Sequence, residues 1–349
     1  KIMSWYLEQG TDADVVVSSR VRLARNLSDT HFPWRLSGAE ARGVAERVAD
    51  AFAIVAKDSE RGLLKVPLDS VGDINKLALA ERRLISRNML KDDLPRSLLL
   101  FSDEKGGVLV NEEDHLRIQT MRAGFALDEA LEEADKIETE LEKLLPFAYD
   151  NKLGYLTTCP TNTGTGLRVS VMLHAPLLMR KNMLNPLAKQ LSQTGYTIRG
   201  ATGEGSGAIC DMIQISNQVT LGFTETDIVK GLSQLSQGLI GQERKFRQDL
   251  YDEDPVGLED EVHRAYGLLR TARRISFDET MDHLSSVRLG IALGILEDID
   301  FQSWQQLFIE SGAGSVQRRA GQELGLTEIN EERARFIREI LDKNTHQEE

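Results

Sequence analysis

Four segments of the chain combine arginine, glutamate, cysteine and glycine in spacings that could support chemistry. They are Ser18-Ser-Arg-Val-Arg-Leu-Ala-Arg25, Asn111-Glu-Glu-Asp-His-Leu-Arg117, Cys159-Pro-Thr-Asn-Thr-Gly-Thr-Gly-Leu-Arg168 and Arg199-Gly-Ala-Thr-Gly-Glu-Gly-Ser-Gly207. Guanidinium groups bind anions through paired N–H donors, carboxylates take up or deliver protons, and a thiolate is a nucleophile. These residue types would suit an anionic ligand that lies beside a proton-accepting group.

The first segment contains two arginines on a predicted strand. Arg20 and Arg22 lie two residues apart within the alternating stretch 15–23. Because successive side chains of a strand point to opposite faces, both guanidinium groups project from the same face. Two adjacent positive charges favour an anion between them, although a solvated sheet face is the slightly better interpretation of this segment taken alone.

The other three segments are also ambiguous when each is taken alone. The run 111–117 crowds three carboxylates, a histidine and an arginine after an apolar strand, and a polar strand end is the commoner explanation of such a run. Glycine and threonine in 159–168 let backbone N–H groups approach a ligand. The glycine-rich loop 199–207 carries one arginine and one glutamate between apolar strands, which is less typical of a mobile linker.

The elements that must position these segments mix helix and strand periodicity without strict βαβ order. Strands are predicted over 98–101, 108–110, 154–158, 167–173, 196–200 and 212–216, and helices from the capping box Ser37-x-x-Glu40 and over 128–145, 177–193 and 224–250. The first two of these strands flank Asp103–Gly107 and read as a hairpin. The pattern predicts an α+β fold with a largely antiparallel sheet flanked by helices.

A boundary between two domains is predicted at the run Asp252-Glu-Asp-Pro-Val-Gly257. We expect a catalytic domain over residues 1–254 and a helical domain over 255–349, which has a capping box at Ser276-x-x-Glu279, a helix stop at Gly312 and a closing helix over 327–343. The apolar stripes of the helical domain exceed what one helical layer buries, which predicts a homodimer through this region. They include Leu307, Phe308, Phe336, Ile337 and Leu341.

Composition limits the class of protein. Of 349 residues, 41% are apolar, 28% are charged and 8 are proline, which favours a folded chain over a disordered one. No apolar run reaches the ~18 residues of a membrane span, and the start lacks signal-peptide order, so we expect a cytoplasmic protein without a membrane partner. The net charge of −13 disfavours direct binding to nucleic acid. Two cysteines without CxxC spacing indicate neither a disulfide framework nor structural zinc.

The order and spacing of the four segments are more specific than any one of them. Common kinase motifs are missing from the sequence, namely GxxxxGK[ST], GxGxxG after a strand, and the HRD and DFG pair. Instead the chain resembles the catalytic domain of the phosphagen (guanidino) kinases, whose signatures are paired arginines on a strand, NEEDHLR, CPxNxGTGxR and RGxxGE. The stretches 154–158 and 285–290 narrow the resemblance to bacterial protein-arginine kinases of the McsB type, across nearly the whole chain. In that group the helical domain follows the catalytic one, and the N-terminal helical domain of the small-substrate kinases is absent.

The resemblance implies a role for each of the residues that match the motifs. The arginines that clamp ATP phosphates correspond to Arg20, Arg22, Arg117, Arg168 and Arg199. Glu113 and Glu204 match the glutamates that bind the acceptor guanidinium, and Cys159 matches the reactive thiol. Glu112 would reach Mg²⁺ through water, and no set of side-chain metal ligands is implied. Arg83 and Met172 stand where relatives carry histidines near the nucleotide, so the adenine contacts stay open.

The function implied by the resemblance is an ATP-dependent protein-arginine kinase. Its role would be to mark proteins for the ClpC-ClpP protease and to inactivate a CtsR-type heat-shock repressor, with an McsA-type activator. A kinase of free arginine or another small guanidine is a rival, against which the absent N-terminal domain counts because that domain helps to enclose a small substrate. An adaptor that only binds phosphoarginine proteins is the non-enzyme rival, and the complete set of five arginines, two glutamates and one cysteine counts against it.

One run departs from the resemblance in the C-terminal region. Several McsB-type kinases carry Arg-Asp-x-x-Arg-Ala there, which binds phosphoarginine and couples it to activity. The corresponding run is Ile329-Asn-Glu-Glu-Arg-Ala334, in which only Arg333 and Ala334 match. Because Ile329 and Asn330 replace the leading pair and two glutamates add negative charge, we expect weak anion binding and a control that is lost or moved.

Overall fold

A computed structural model describes residues 4–91, 93–200 and 208–345, and an eight-stranded sheet organises them. Its strands are β1 (Val16–Arg25), β2 (Leu63–Pro67), β3 (Ser97–Phe101), β4 (Gly106–Val110), β5 (Leu116–Ala123), β8 (Leu167–His174), β9 (Tyr196–Gly200) and β10 (Met212–Asn217). The order is β2-β3-β4-β5-β1-β8-β10-β9, and every neighbouring pair is antiparallel. A separate ribbon pairs β6 (Tyr149–Asp150) with β7 (Gly154–Tyr155). The predicted α+β class and antiparallel sheet are confirmed.

Helices cover both faces of this sheet. They are α1 (Gly38–Asp58), α2 (Asp73–Glu81), α3 (Leu127–Glu142), α4 (Pro176–Arg180), α5 (Leu184–Gln193), α6 (Glu225–Glu253), α7 (Pro255–Thr271), α8 (Phe277–Ala292), α9 (Phe301–Glu310), α10 (Ala313–Ala320) and α11 (Leu326–Thr345). The capping box at Ser37 is complete, because the Ser37 hydroxyl accepts the Glu40 N–H and the Glu40 carboxylate accepts the Ser37 N–H. Ser276 Oγ likewise accepts the Glu279 N–H at the start of α8.

Two predicted elements are shorter in the structure than the sequence indicated. The strand over 154–158 ends at Tyr155, because the next N–H groups bond to loops: Leu156 donates to Ala148 and Thr158 donates to the Asp114 side chain. The helix over 177–193 is divided into α4 and α5 at Asn182, which has a left-handed φ of 55°. Asparagine tolerates that conformation better than most residues, so it ends the first helix there.

Two apolar cores lie on opposite faces of the sheet. The first packs α1, α3 and α6 against β-strand residues such as Val21, Leu23 and Val169. The second joins the other face, including Met121 and Met172, to the C-terminal helices α7–α11. The C-terminal helices therefore complete the core of the sheet and are not a layer that stands apart from it.

This second core overturns the reason given for a homodimer. The stripe residues are buried within the chain itself, with exposed fractions of 0% for Leu307, Ile337 and Leu341, 1% for Phe336 and 9% for Phe308. Helical periodicity shows that a face is apolar, but it does not show that neighbouring helices of the same chain already cover that face. Within the described part of the chain, no helix combines the length and the apolarity that a bilayer crossing needs.

Candidate active site

Side chains from five strands share one face of the sheet. Arg22 of β1 lies opposite Gln119 of β5 and Arg168 of β8, and Ala24 lies opposite Arg117. Directly opposed residues of antiparallel strands place their side chains on the same face. By this rule one face collects Arg20, Arg22, Arg117, Arg168, Ser170, Gln214 and Arg199, the last two being opposed across β10 and β9. We call the five arginines of this set the arginine face.

The positive charge of the arginine face is only partly compensated. Arg20 makes long hydrogen bonds to Ser170 Oγ at 3.4 Å and Gln214 Oε1 at 3.3 Å, and the buried Arg22 Nε has no hydrogen-bond partner among the described residues. Within those same residues neither guanidinium forms an ion pair with a carboxylate. Half-buried cations without a carboxylate partner favour an anionic ligand.

Electrostatics agree with this geometry. Burial, followed by the charges of Arg117 and Arg168, lowers the pKa of Arg20 to about 10. Burial and the charge of Arg20 depress the pKa of Arg22 well below its usual value. For Arg168, burial lowers the pKa first and the charge of Arg199 lowers it further. Mutual repulsion among these cations shows that they are close together, and a polyanion would relieve it.

The segment 111–117 contributes carboxylates to the same region. Arg117 contacts Glu112 through Nη1 and Glu113 Oε2 through Nη2, the second at 3.2 Å. Glu112 is buried and also accepts a 2.5 Å hydrogen bond from Ser86 Oγ, whereas the Glu113 side chain is 36% exposed. Glu113 is therefore the more accessible carboxylate and Glu112 the more tightly held one.

Cys159 lies beside these groups at the start of the short turn Pro160–Asn162. Its side chain is half-buried, and Sγ lies 3.0 Å from Thr161 Oγ1. Glu113 and Cys159 are near enough to Arg168 to influence its pKa, after the larger effects of burial, Arg199 and Arg117. Glu204, the second glutamate implied by the resemblance, lies outside the described residues.

Two residues that the sequence analysis gave no role brace this arrangement. Asp114 Oδ1 accepts from Asn26 Nδ2 and from the Thr158 N–H, both at 2.7 Å, and Asn26 Oδ1 accepts the His115 N–H at 2.9 Å. The end of β1, the segment 111–117 and the loop of Cys159 are thereby tied together. The sequence signal for this bracing role was the high density of polar residues in 111–117. Only some of them reach the arginine face, so the others must serve another purpose.

Arg25 also supports the site from the opposite side of the sheet. It is fully buried, donates Nε to Glu138 Oε1 at 2.5 Å and donates Nη1 to the Thr165 carbonyl at 2.9 Å. Its spacing of three residues from Arg22 predicts the opposite face, so strand periodicity separates it from the arginine face. Arg25 thus holds the 159–168 loop and does not face a ligand.

The two positions where the resemblance left adenine contacts open differ in the structure. Met172 is buried in the second core, so its side chain packs against apolar neighbours. Arg83 follows α2 and lies near Arg20, with its guanidinium 5.8 Å from the centroid of the Phe308 ring. Burial, then the charge of Arg20, lowers the pKa of Arg83 to about 9. A further cation therefore borders the arginine face.

Comparison with known proteins identifies the family. The model of the ATP:guanido phosphotransferase C-terminal catalytic domain matches residues 43–246, and the model of the protein-arginine kinase McsB C-terminal domain matches residues 255–349. The protein-arginine kinase of Brevibacillus brevis is 40% identical over 338 residues, which cover 97% of this chain and 95% of that protein. The chain belongs to the protein-arginine kinase family. It is accordingly an enzyme of the phosphotransferase class.

Other members and more distant structures agree. The protein-arginine kinase of Bacillus subtilis is 39% identical over 340 residues, or 97% of this chain and 93% of the relative. A lombricine kinase crystal structure superposes with a TM-score of 0.59 at 24% identity over 69% of each chain. The duplicated taurocyamine kinase of Schistosoma mansoni gives 0.61 at 24% identity over 75% of this chain and 39% of that one. At these identities the two structures show a shared fold for this protein-arginine kinase family member and nothing about its substrate.

Proposed function

We propose that this enzyme transfers the γ-phosphoryl group of ATP to the guanidinium of arginine side chains in proteins. The observation that carries the proposal is the arginine face itself, where Arg20 and Arg22 lack carboxylate partners among the described residues while Glu113 and Cys159 lie close by. Phosphoryl transfer requires charge stabilisation and positioning and little covalent work from the protein.

The phosphates of ATP are the anions we assign to the arginine face. Arg20, Arg22, Arg117, Arg168 and Arg199 offer planar N–H donors that match phosphate oxygens in pairs. Their positive charge would increasingly stabilise the oxygens of the transferred group as it moves, because the donors are already fixed by the sheet register.

The acceptor is a cation that must become a nucleophile. A guanidinium is protonated at neutral pH, so a carboxylate has to orient it and take a proton as the new P–N bond forms. We assign this work to Glu113 and Glu204, with the Cys159 thiolate positioning the attacking nitrogen. The exposure of Glu113 supports the assignment, since a side chain of another protein has to reach it.

The donor set also fits Mg²⁺ bound with the nucleotide. Mg²⁺ keeps several waters and is bound by one or two carboxylates plus substrate phosphates. No group of three or more metal-binding side chains occurs in the described part of the chain, and Glu112 is the buried carboxylate next to the arginines. We propose that Glu112 holds the ion through water. Bound there, the ion would neutralise charge on the phosphate oxygens.

Wider roles of the enzyme rest on the family resemblance. We propose that residues 1–254 form the catalytic domain and 255–349 a helical domain, which the two matched family models support at 43–246 and 255–349. Marking of proteins for ClpC-ClpP, inactivation of a CtsR-type repressor, an McsA-type activator and a cytoplasmic location belong to the same proposal. A homodimer also stays a prediction, although the stripe residues named for it are buried within the chain.

Loss of phosphoarginine control at 329–334 is a separate part of the proposal. Arg333 is 2% exposed and donates to the carbonyls of Ser311 at 2.7 Å and Ile275 at 3.0 Å and to Asn330 Oδ1 at 2.6 Å. Its donors are therefore committed to the fold. Titration with phosphoarginine should show no tight binding, and tight binding that Arg333→Ala abolishes would contradict this.

The decisive test of the proposed function is a competition between acceptors. The enzyme is incubated with Mg-ATP, a mixed protein lysate and free arginine, and phosphosites are read by mass spectrometry at neutral pH. We expect phosphoarginine on proteins, and a rate at least ~100-fold lower for Cys159→Ala and Glu204→Ala, because a base or positioning group supplies about that factor. Cys210→Ala is the matched control, since that thiol is buried in the second core and the charged groups that act on it are Asp211, Arg288 and Asp282, none of which belongs to the arginine face. Phosphorylation of free arginine alone would favour the small-guanidine kinase, and no transfer would favour the adaptor.

A further inference from the structure

A carboxylate from the sheet side of the molecule binds the N-terminus of a C-terminal helix. Glu81, the last residue of α2, accepts the Gly314 N–H through Oε1 at 2.8 Å. Its Oε2 accepts the Ser315 N–H and the Ser315 hydroxyl, both at 2.7 Å. These bonds satisfy donors that the first turn of α10 would otherwise leave free, and the helix dipole favours the negative charge.

Two glycines make this contact possible. A Cβ on Gly312 would lie 2.2 Å from Glu81 Cδ, and a Cβ on Gly314 would lie 2.6 Å from the Ala78 backbone nitrogen. A larger residue at Gly314 would meet the α2 backbone and push α2 and α10 apart, whereas a larger residue at Gly312 would displace the Glu81 carboxyl group. Close approach of these two helices is therefore built into the sequence of α10 as well as into Glu81.

Directly after Glu81 the chain makes a turn with a constrained backbone. Arg83 has a left-handed φ of 61°, which is unfavourable for a residue with a side chain and must be held by its surroundings. Its carbonyl accepts from Gln119 Nε2 at 3.0 Å, and the following Leu84 and Ile85 are buried. The position of this turn, residues 82–86, thus depends on what anchors its two ends.

Two polar side chains of the turn reach the site. Both lie next to the residues that we assign to the nucleotide, which we call the nucleotide side of the site. The Arg83 guanidinium lies near Arg20, and Ser86 Oγ donates to Glu112 Oε1. Resting on the proposed function, Arg20 binds phosphate and Glu112 holds Mg²⁺ through water. Among the described residues Glu113 contacts Arg117 and Cys159 contacts Thr161, and neither contacts this turn. Arg117, which contacts both Glu112 and Glu113, links the two sides.

We propose that Glu81 is a positioning residue: by binding the N-terminus of α10 it holds the turn 82–86 against the nucleotide side of the site. The C-terminal helices thereby set the affinity for Mg-ATP through Arg83 and Ser86. The acceptor side does not depend on this contact. The substrate whose binding should respond is therefore the nucleotide and not the protein acceptor.

The test is steady-state kinetics of the full chain with Mg-ATP and a protein acceptor varied separately. For Glu81→Ala we expect the KM for Mg-ATP to rise about tenfold and the KM for the acceptor to change less than about twofold, the size expected for losing a charged helix cap that orients a site. Glu81→Gln should fall between, because the amide keeps one acceptor oxygen without the charge. Gly314→Ala should reproduce the effect from the other helix.

The matched control is Glu261→Gln. Glu261 of α7 also joins the C-terminal helices to the rest of the chain, through Arg180 at 2.6 Å, and accepts from the Ser286 hydroxyl of α8 at 2.9 Å, but neither contact involves the turn 82–86. The control should leave both KM values unchanged. An unchanged KM for Mg-ATP in the Glu81 variants, an equal rise for both substrates, or the same rise in the control would overturn the proposal.

Two further measurements decide the proposal if Glu81→Ala does not fold or if the enzyme transfers no phosphoryl group. If Glu81→Ala does not fold at the assay temperature, Glu81→Gln alone decides by the same criteria. If the wild-type enzyme transfers no phosphoryl group to protein, the proposed function has failed. In that case direct titration of Mg-ATP still tests Glu81, because the dissociation constant should rise in the same variants.

Discussion

Arg20 and Arg22 of the arginine face differ from arginines of the interior in how their charge is met, whereas Arg117 of the same face is paired with Glu112 and Glu113. Arg20 and Arg22 have long hydrogen bonds or none, and no ion pair among the described residues. Arg247, at the contact of α6 with β8, donates to Glu243 Oε1, to the Asp14 carbonyl and to the His174 carbonyl, all within 2.9 Å. The same side chain is therefore structural where the fold supplies its acceptors and is available to a ligand where it does not.

The largest effect should come from removing an arginine that has no ion-pair partner among the described residues. Arg22→Ala should lower kcat/KM by about a thousandfold, the lower end for an arginine that stabilises transferring phosphate. Stability should stay equal or rise, because the variant loses a half-buried cation that other arginines repel. Kinetics and thermal unfolding of the same preparation check both statements. Full activity, or a loss of activity explained by unfolding, would contradict the assignment of Arg22 to ligand binding.

The opposite outcome is expected for an arginine of the interior. Arg247→Ala leaves the fully buried Glu243 with the Leu177 and Leu178 N–H groups as its remaining partners in the described part of the chain, so the free energy of unfolding should fall by about 3–5 kcal/mol. Urea denaturation measures this loss. Where the variant is still folded, at low temperature, kcat should stay within about threefold of wild type. Normal stability together with lost activity would show that Arg247 belongs with the arginines that bind the ligand.

Sequence periodicity separated these two groups only in part. The spacing of Arg20 and Arg22 placed them on one strand face, and the spacing of Arg25 placed it on the other. The sequence around Arg247 does not indicate that its partner Glu243 also accepts main-chain N–H groups of α4. Those contacts arise only when α6 packs on the sheet. The predicted strand over 154–158 is too long for a similar reason, because the Asp114 side chain accepts the Thr158 N–H that would otherwise bond to a neighbouring strand. The apolar stripes of the C-terminal helices were correctly predicted to be apolar, but neighbouring helices of the same chain cover them within the second core.

A smaller effect should appear around Arg25, where the charge imbalance is reversed. Three carboxylates, Asp135, Glu138 and Glu225, act on this single guanidinium, and burial with the two neighbouring acids raises the pKa of Glu225 to about 7 from its usual 4.5. The folded state therefore binds this proton more tightly than the unfolded chain, so stability is lost as the pH rises from about 4.5 through 7. Glu225→Gln should be more stable than wild type at pH 8 and equal to it at pH 4.5. Unfolding at the two pH values checks this, and a variant less stable at pH 8 would contradict it.

The most direct test is an equilibrium titration of Mg-ATP against wild type, Arg168→Gln and Arg333→Gln. It asks whether an arginine of the arginine face binds the ligand while an arginine bonded to acceptors of the fold, such as Arg333, does not. All three proteins are measured at one temperature at which each is folded. We expect the dissociation constant to rise at least about tenfold for Arg168→Gln, which loses charged donors to phosphate, and to stay at the wild-type value for Arg333→Gln. Wild-type affinity in Arg168→Gln, or an equal loss in Arg333→Gln, would contradict the account.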